Sequence, residues 1–143
     1  MGLERLGQDT PEVSPQISVM EAVKVMTDRS VGALAITSGR RIVGIFTERD
    51  LMSRVVAPQK DPSTTPISEV MTSPVRSVPP STTVAEAASL MRRHQFRHLA
   101  IVDAEGNLIT VVALRYLLYD LLEDLDRKVD SLQSYIMADS PGG

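Results

Sequence analysis

One short stretch carries polar side chains whose types and spacing would suit the binding of a small polar ligand. In "GIFTERDL" (44–51), Thr47 ends an apolar run and Asp50 follows three residues later. A Thr with an acidic residue three positions on is the pattern of a helix-capping box. The same hydroxyl and carboxylate could instead face a cleft, where an ionised carboxylate can accept hydrogen bonds from two ligand hydroxyls. The spacing alone leaves both interpretations open.

The composition limits the classes of protein that fit this chain. Its 143 residues suit one domain or two small fused units. A net charge of −3 without a basic block, together with 3% aromatic residues, argues against a nucleic-acid partner. Two His and no Cys argue against a metal site, and the lack of Cys suits a reducing compartment. No apolar run is long enough to cross a bilayer and no signal peptide is visible, so we expect a soluble cytoplasmic protein without a membrane partner.

The chain contains an internal repeat. When residues 13–36 are aligned with 78–101, at an offset of 65, nine positions are identical, whereas ordinary residue frequencies would give about one or two. One extra residue in the second copy's turn, "DAEGN" against "SGRR", moves the offset to 66 for the residues that follow. Self-similarity at this period predicts two copies of one folding unit.

Each copy is predicted to fold as strand, helix, strand, strand, helix. Ser18 with Glu21, and Thr83 with Glu86, have the spacing of capping boxes at the starts of the first helices. Paired apolar runs around Gly-containing turns predict hairpins that are covered on both faces, and a segment with three prolines predicts a linker. The predicted strands lie at 33–37, 41–46, 99–102 and 108–112, the linker at 57–66, and two short helices at 3–6 and 67–71.

In this arrangement the chain resembles a tandem pair of cystathionine-β-synthase (CBS) domains, often called a Bateman module. The resemblance rests on "VMTSPVRSVPPSTTVAEAASLMRRHQFRHLAIVD" (70–103) and "GALAITSGRRIVGIFTERDL" (32–51), and it covers about residues 3–120. It implies an α/β (α+β) fold with two βαββα repeats packed as a pseudo-twofold pair, plus a C-terminal helix. The expected units are CBS repeat 1 at 1–56, the linker at 57–66, CBS repeat 2 at 67–117, and a C-terminal helix with a frayed tail at 118–143.

The resemblance also implies a function, namely a regulatory protein that binds an adenosine-containing ligand between its two copies. In similar pairs the pattern that ends here in Thr47 and Asp50 holds the ribose, and this Asp faces the first strand and the middle hairpin of the other copy. The ligand would be AMP, ADP or ATP, sensed as a signal rather than held as a cofactor. The ligand-binding set that the resemblance implies is Thr47, Asp50, Arg97, His98, Arg76, Ser77, Val75 and Ile45.

Within that set, the basic pair Arg97 and His98 stands where the family meets phosphates, with Arg76 and Ser77 nearby. The planar fork of Arg suits phosphate oxygens, and the aliphatic members would carry the adenine ring. Outside this context Arg97 would be interpreted as a solvated surface charge and His98 as a hydrogen-bonded hairpin residue.

The equivalent second cleft, which would be built from Ala113 and Tyr116 of copy two and from residues of copy one, has lost these groups. The positions aligned with the ribose pair, with Ser77 and with the basic pair are Ala113, Tyr116, Glu12, Gly32 and Ala33. A buried Glu12 would in addition repel a phosphate. Because one cleft keeps every element while the other lost them together, the sequence favours one working nucleotide site.

After repeat 2, the chain continues with an apolar seam. Leucine, valine and isoleucine recur at spacings of 4-3-4-3-4, at Leu118, Leu122, Leu125, Val129, Leu132 and Ile136. Branched residues at one seam position and Leu at the other suit a parallel two-stranded coiled coil. Such a coil would require a head-to-head homodimer; the alternative is a helix packed on its own module.

Two functions remain open at this point. The first is a nucleotide sensor at the Asp50 cleft, and the second is a ligand-free dimerisation or adaptor module acting through its C-terminal helix on an unknown downstream protein. An enzyme is not expected, since no nucleophile or acid–base set stands out.

Overall fold

The computed structural model describes residues 2–138, which contain two copies of one sheet-and-helix unit. The strands are β1 Glu12–Val13, β2 Ala33–Ser38, β3 Arg41–Thr47, β4 Ser77–Val78, β5 His98–Val102 and β6 Leu108–Ala113. The helices are α1 Val19–Arg29, α2 Glu48–Asp50, α3 Val84–His94 and α4 Leu114–Ala138. Two short 3₁₀ helices, Leu3–Leu6 and Ile67–Glu69, precede the two copies.

The two three-stranded sheets have the same topology and the same register. Their strand orders are β1-β2-β3 and β4-β5-β6, with a parallel first pair and an antiparallel second pair. Glu12 lies opposite Ala35, and Ser77 lies opposite Ala100, so the pairing repeats at the offset of 65. Each hairpin also has a register shift directly after the equivalent isoleucine, Ile36 or Ile101. The predicted pair of βαββα repeats is confirmed.

The first helix of each repeat begins where the sequence indicates. The Ser18 hydroxyl accepts a hydrogen bond from the Glu21 N–H at 3.1 Å, and the Thr83 hydroxyl accepts one from the Glu86 N–H at 3.1 Å. These bonds satisfy N–H groups that have no partner within the helix. Each helix then covers one face of its own sheet with its apolar side.

A third apolar cluster joins the two repeats through the other faces of the sheets. It consists of Ala35, Ile45, Ala100, Leu108 and Val111, all nearly inaccessible to solvent. Coverage on both faces explains why the strands read as almost continuous apolar runs. The packing of the repeats on each other therefore creates the cleft described below.

The two short 3₁₀ helices are exchanged between the repeats. Leu3 packs into the core of repeat 2 with Val78 and Met91, and its N–H donates to the Pro80 carbonyl at 3.0 Å. Ile67 packs into the core of repeat 1. Each repeat is therefore completed by a segment that precedes the other one in the chain.

The linker at 57–66 is held against repeat 1. The carbonyls of Pro62 and Thr65 each accept a hydrogen bond at 2.9 Å, from the N–H groups of Met20 and Val19 respectively, at the start of α1. The buried hydroxyl of Thr65 donates to the Asp61 carbonyl at 2.7 Å. The linker thus supplies the carbonyl partners for the first turn of this helix.

The closing helices differ from the prediction in two ways. The last helix of repeat 1 begins as α2 and continues as a π-helix, Leu51–Val56. The helix after repeat 2 and the predicted extension form one element, α4, which includes Ala138. Of the frayed tail expected at 138–143, residues 139–143 lie outside the described residues. No helix within residues 2–138 is both long enough and apolar enough to span a membrane.

Candidate functional site

Thr47 and Asp50 line a cleft of about 1850 Å³ that lies between the repeats. Repeat 1 contributes the end of β3 and α2, and repeat 2 contributes the segment before β4 and the start of β5. Seven of the eight residues in the predicted set line this cleft: Thr47, Asp50, Arg97, His98, Arg76, Val75 and Ile45. The eighth, Ser77, is exposed on β4 and is not part of the lining.

The carboxylate of Asp50 is buried and makes a helix-capping box. Its Oδ2 accepts hydrogen bonds from the Thr47 N–H at 3.0 Å and from the Thr47 hydroxyl at 3.2 Å. The Thr47 hydroxyl accepts in return from the Asp50 N–H at 3.2 Å. The capping interpretation is therefore observed, yet the side chain still borders the cleft with 6% of its residue exposed. Capping and facing a ligand do not exclude each other here.

The second oxygen of Asp50 is held by two residues that the sequence did not point to. Oδ1 accepts a hydrogen bond from the Thr72 hydroxyl at 2.9 Å and lies 3.7 Å from Nε of Arg54. Nη1 of Arg54 also donates to the Met71 carbonyl at 2.8 Å. The chain at 71–72 is further tied to β3, because Ile45 and Thr72 exchange both backbone hydrogen bonds. This segment of repeat 2 is thus anchored to the candidate ribose acceptor.

Thr72→Val should lower the free energy of unfolding by about 1 kcal/mol, because it removes a hydroxyl donor to a charged acceptor at an exposed residue. Thr72→Ser keeps the donor and serves as the matched control. Urea unfolding of the three proteins measures the difference. Equal losses in both variants would show that the methyl group, rather than the hydroxyl, matters.

His98 faces Asp50 across the cleft from the first position of β5. Partial burial of the imidazole lowers the pKa of His98 below its ordinary value. The negative charge of Asp50 opposes this effect, while the positive charges of Arg115 and Arg97 add to it. His98 is therefore mainly neutral at pH 7. The charges of Asp50, Arg115 and Arg97 all act on its imidazole.

The lowered pKa of His98 predicts a pH dependence of stability. The unfolded chain, with an ordinary histidine pKa of about 6.5, takes up the proton more readily than the folded chain. Stability should therefore fall as the pH drops through about 6.5, and this loss should stop below the folded-state pKa. His98→Gln should flatten that part of a plot of melting temperature against pH. Parallel curves for wild type and His98→Gln would contradict this.

The charge of the cleft is opposite to that of the chain. The whole chain has 15 Lys and Arg against 18 Asp and Glu. Among the described residues, the cleft is lined by Arg29, Arg49, Arg54, Arg76, Arg92, Arg97 and Arg115 against Asp9, Glu48 and Asp50. A surplus of guanidinium groups in a concave site favours an anion, and their planar form suits phosphate oxygens.

An apolar surface lies beside these charges. Ile45 is almost fully buried in the cluster that joins the repeats, and Val75 packs against that cluster. Both side chains also border the cleft. A flat, apolar ring could rest on them while its polar substituents reach the arginines.

The position equivalent to Asp50 in repeat 2 has a different chemistry. Tyr116 lies there, with the Arg115 guanidinium 5.1 Å from its ring centre. Glu12 was expected to face this part of the cleft from a buried position, and this prediction was wrong: its side chain is exposed on β1 and is not part of the lining. Asp9, from the segment before β1, does line the cleft and is paired with Arg29 at 3.0 Å.

Glu12 and Ser77 are equivalent residues, one in β1 and one in β4, and both are exposed outside the lining. Arg76 and Val75, which come immediately before Ser77, line the cleft. Within residues 2–138, no three His, Asp or Glu side chains are grouped so that they could hold a metal ion.

Comparison with known proteins gives a consistent result. The family model described as CBS domain matches residues 8–57 and 67–123. The CBS domain-containing protein YhcV of Bacillus subtilis (strain 168) is 38% identical over 102 residues, which are 71% of this chain and 71% of that protein. A protein with CBS domains from Burkholderia ambifaria superposes with a TM-score of 0.75 at 31% identity, over 87% of this chain and 96% of that one.

A third similar protein carries a ligand. The CBS domain protein PAE2072 from Pyrobaculum aerophilum was solved in complex with AMP. It is 26% identical to this chain, with a TM-score of 0.72 and coverage of 86% of this chain and 99% of that one.

Proposed function

Because this chain belongs to the CBS domain family, with two repeats in tandem, we propose that it binds an adenine nucleotide, AMP, ADP or ATP, in the cleft at Asp50. Binding there would make this regulatory module a sensor of nucleotide or energy state. The observation that carries the proposal is the placement of Asp50 of repeat 1 opposite Arg97 and His98 of repeat 2 in one cleft. The AMP complex of PAE2072 supports the choice of ligand class.

Each part of a nucleotide has a chemical counterpart in this cleft. The ribose hydroxyls are donors, and Asp50 is an acceptor whose Oδ1 already receives one hydroxyl, that of Thr72. The phosphates match Arg97, Arg76 and His98, which takes up a proton more readily when an anion lies beside it. The adenine ring matches the apolar surface at Ile45 and Val75. Ser77 has no part in this assignment because it lies outside the lining.

We infer one such site per chain. The position equivalent to Asp50 carries Tyr116, a phenol that offers one oxygen rather than two. The position equivalent to His98 is Ala33, whose side chain cannot donate a hydrogen bond to a phosphate. The proposed role is non-enzymatic: the cleft residues bind and report, and the downstream protein that would respond is unknown.

We also propose that the protein acts as a head-to-head homodimer. Large apolar side chains are exposed on the closing helices of both repeats: Met52 and Val56 on the π-helix, and Leu118 and Tyr119 on α4. Exposed large apolar side chains on both of these helices favour an interface there. If each repeat packs against the same repeat of a second copy, the π-helix and α4 are both covered.

A binding titration against AMP, ADP, ATP, S-adenosylmethionine and NADH tests the proposed ligand class. At least one of the three adenine nucleotides should bind, and more tightly than the other two compounds. Adenosine is the control for the arginines: because it lacks phosphate, it should bind more weakly than AMP. No binding to any of the five would contradict the sensor function.

A further inference from the structure

We propose that the C-terminal part of α4 forms a parallel two-stranded coiled coil with α4 of a second copy of this chain. The apolar seam consists of Leu118, Leu122, Leu125, Val129, Leu132 and Ile136. The inference deepens the self-association proposed above, on which it rests, and it is independent of nucleotide binding.

The seam points away from its own module. On the other side of α4, Leu117 is fully buried in the core of repeat 2, and Asp120 is held by Arg5 of the first 3₁₀ helix at 3.0 Å. The six seam residues are instead between 43% and 64% exposed. The alternative of a helix packed on its own module is therefore not what the structure shows.

The outward part of the helix needs a partner. Every residue of α4 from Leu125 to Ile136 is exposed, and an isolated helix of about 12–15 residues is only marginally stable in water. On one flank of the seam, Asp124 pairs with Arg127 at 3.5 Å and with Lys128 at 3.3 Å, so these charges have partners within the helix. The exposed apolar side chains of the seam are the surface that a second helix would cover.

The residue types of the seam favour a parallel pair. Leu122, Val129 and Ile136 occupy one heptad position, and two of the three are β-branched. The other position is always Leu. β-Branched residues at a with Leu at d is the combination that favours parallel dimers.

The charges beside the seam disfavour the competing antiparallel pair with full overlap. In that arrangement Leu122 packs against Leu132 of the second copy. Lys128 then lies next to Lys128 of the second copy, and Asp126 lies next to Asp126 of the second copy. Like charges at such close range repel. In the parallel, in-register pair Lys128 lies instead beside Gln133 of the second copy, with no like-charge contact.

Cysteine cross-linking in the full chain tests the coil directly, since the wild-type sequence has no Cys. In a parallel seam Leu132→Cys lies next to its own twin, so oxidation should give disulfide-linked dimers. Leu122→Cys alone should do the same. Ser134→Cys, on the outer face of the helix, is the matched control and should stay monomeric on a non-reducing gel.

Three outcomes would overturn the proposal. Equal cross-linking by Ser134→Cys would mean that the disulfides form by random collision. A monomer in sedimentation at micromolar concentration would show that no second copy is bound. Linkage only when the Leu122→Cys and Leu132→Cys chains are mixed would show an antiparallel pair. The experiment is run without nucleotide, so its failure leaves the binding proposal standing. Ending the chain after Leu125 should weaken the dimer without abolishing it, because the module surfaces remain.

Discussion

Replacing Asp50 with Ala should weaken nucleotide binding by about 1.5–3 kcal/mol, or roughly ten- to 150-fold, the range for hydrogen bonds to a charged group. The variant removes the only carboxylate of the described chain that both borders the cleft and faces His98 from repeat 1. Calorimetric titration with the tightest-binding adenine nucleotide measures the change.

Asp50 also caps α2, so this variant should lose about 0.5–2 kcal/mol of stability as well. Binding must therefore be compared at a temperature where both proteins are folded. Asp50→Asn separates the two roles, because the amide keeps an acceptor for the Thr47 N–H but loses the charge. The positional control is Tyr116→Ala, at the equivalent site of repeat 2, which should leave affinity nearly unchanged. If Asp50→Ala melts lower but binds as the wild type does, Asp50 is only a cap.

Ile67→Ala should lower the free energy of unfolding by about 2–5 kcal/mol, the range for truncating a fully buried isoleucine. Ile67 precedes repeat 2 in the chain but is completely buried in the core of repeat 1. The loss should therefore increase the rate of amide hydrogen exchange more in β2 and β3 than in β5 and β6.

Ile109→Ala provides the matched control for this exchange of segments. It is the same substitution at a residue that is 46% exposed on β6, so its effect should be well below that of Ile67→Ala. Comparable losses in both variants, or a loss of protection confined to repeat 2, would contradict the exchanged packing.

The parts of the fold that were predictable are those set by local chemistry and by repetition. Ser18 and Thr83 mark helix starts because the bond they accept comes from a residue only three positions away. The hairpins follow from apolar runs around short turns. The matching registers at Ala35 and Ala100 follow once the offset of 65 is known.

The exchange of the short helices could not be predicted in the same way. Leu3 and Ile67 each precede one repeat but pack in the other, and chain order gives no signal for this. The π-helix at Leu51–Val56 could not be predicted either, because the spacing of its apolar residues over six positions is also compatible with an α-helix.

The sequence predicted which residue types line the candidate site, but it did not predict all the hydrogen bonds that hold them. The resemblance implied that Asp50 would face Arg97 and His98 across a cleft between the repeats, and all three residues line one cleft. Thr72 was missed because its hydrogen bond to Asp50 spans 22 residues. Ser77 and Glu12 lie outside the lining, and a two-residue strand has too little alternation to show in the sequence which of its faces turns inward.

The most direct measurement is the stoichiometry of binding by titration calorimetry of whichever of AMP, ADP and ATP binds most tightly, made on wild type, Asp50→Asn and Tyr116→Ala. The account predicts one nucleotide per chain for wild type and for Tyr116→Ala, and strongly reduced affinity for Asp50→Asn. Two nucleotides per chain, or affinity that follows Tyr116 instead of Asp50, would contradict a single site at the Asp50 end of the cleft.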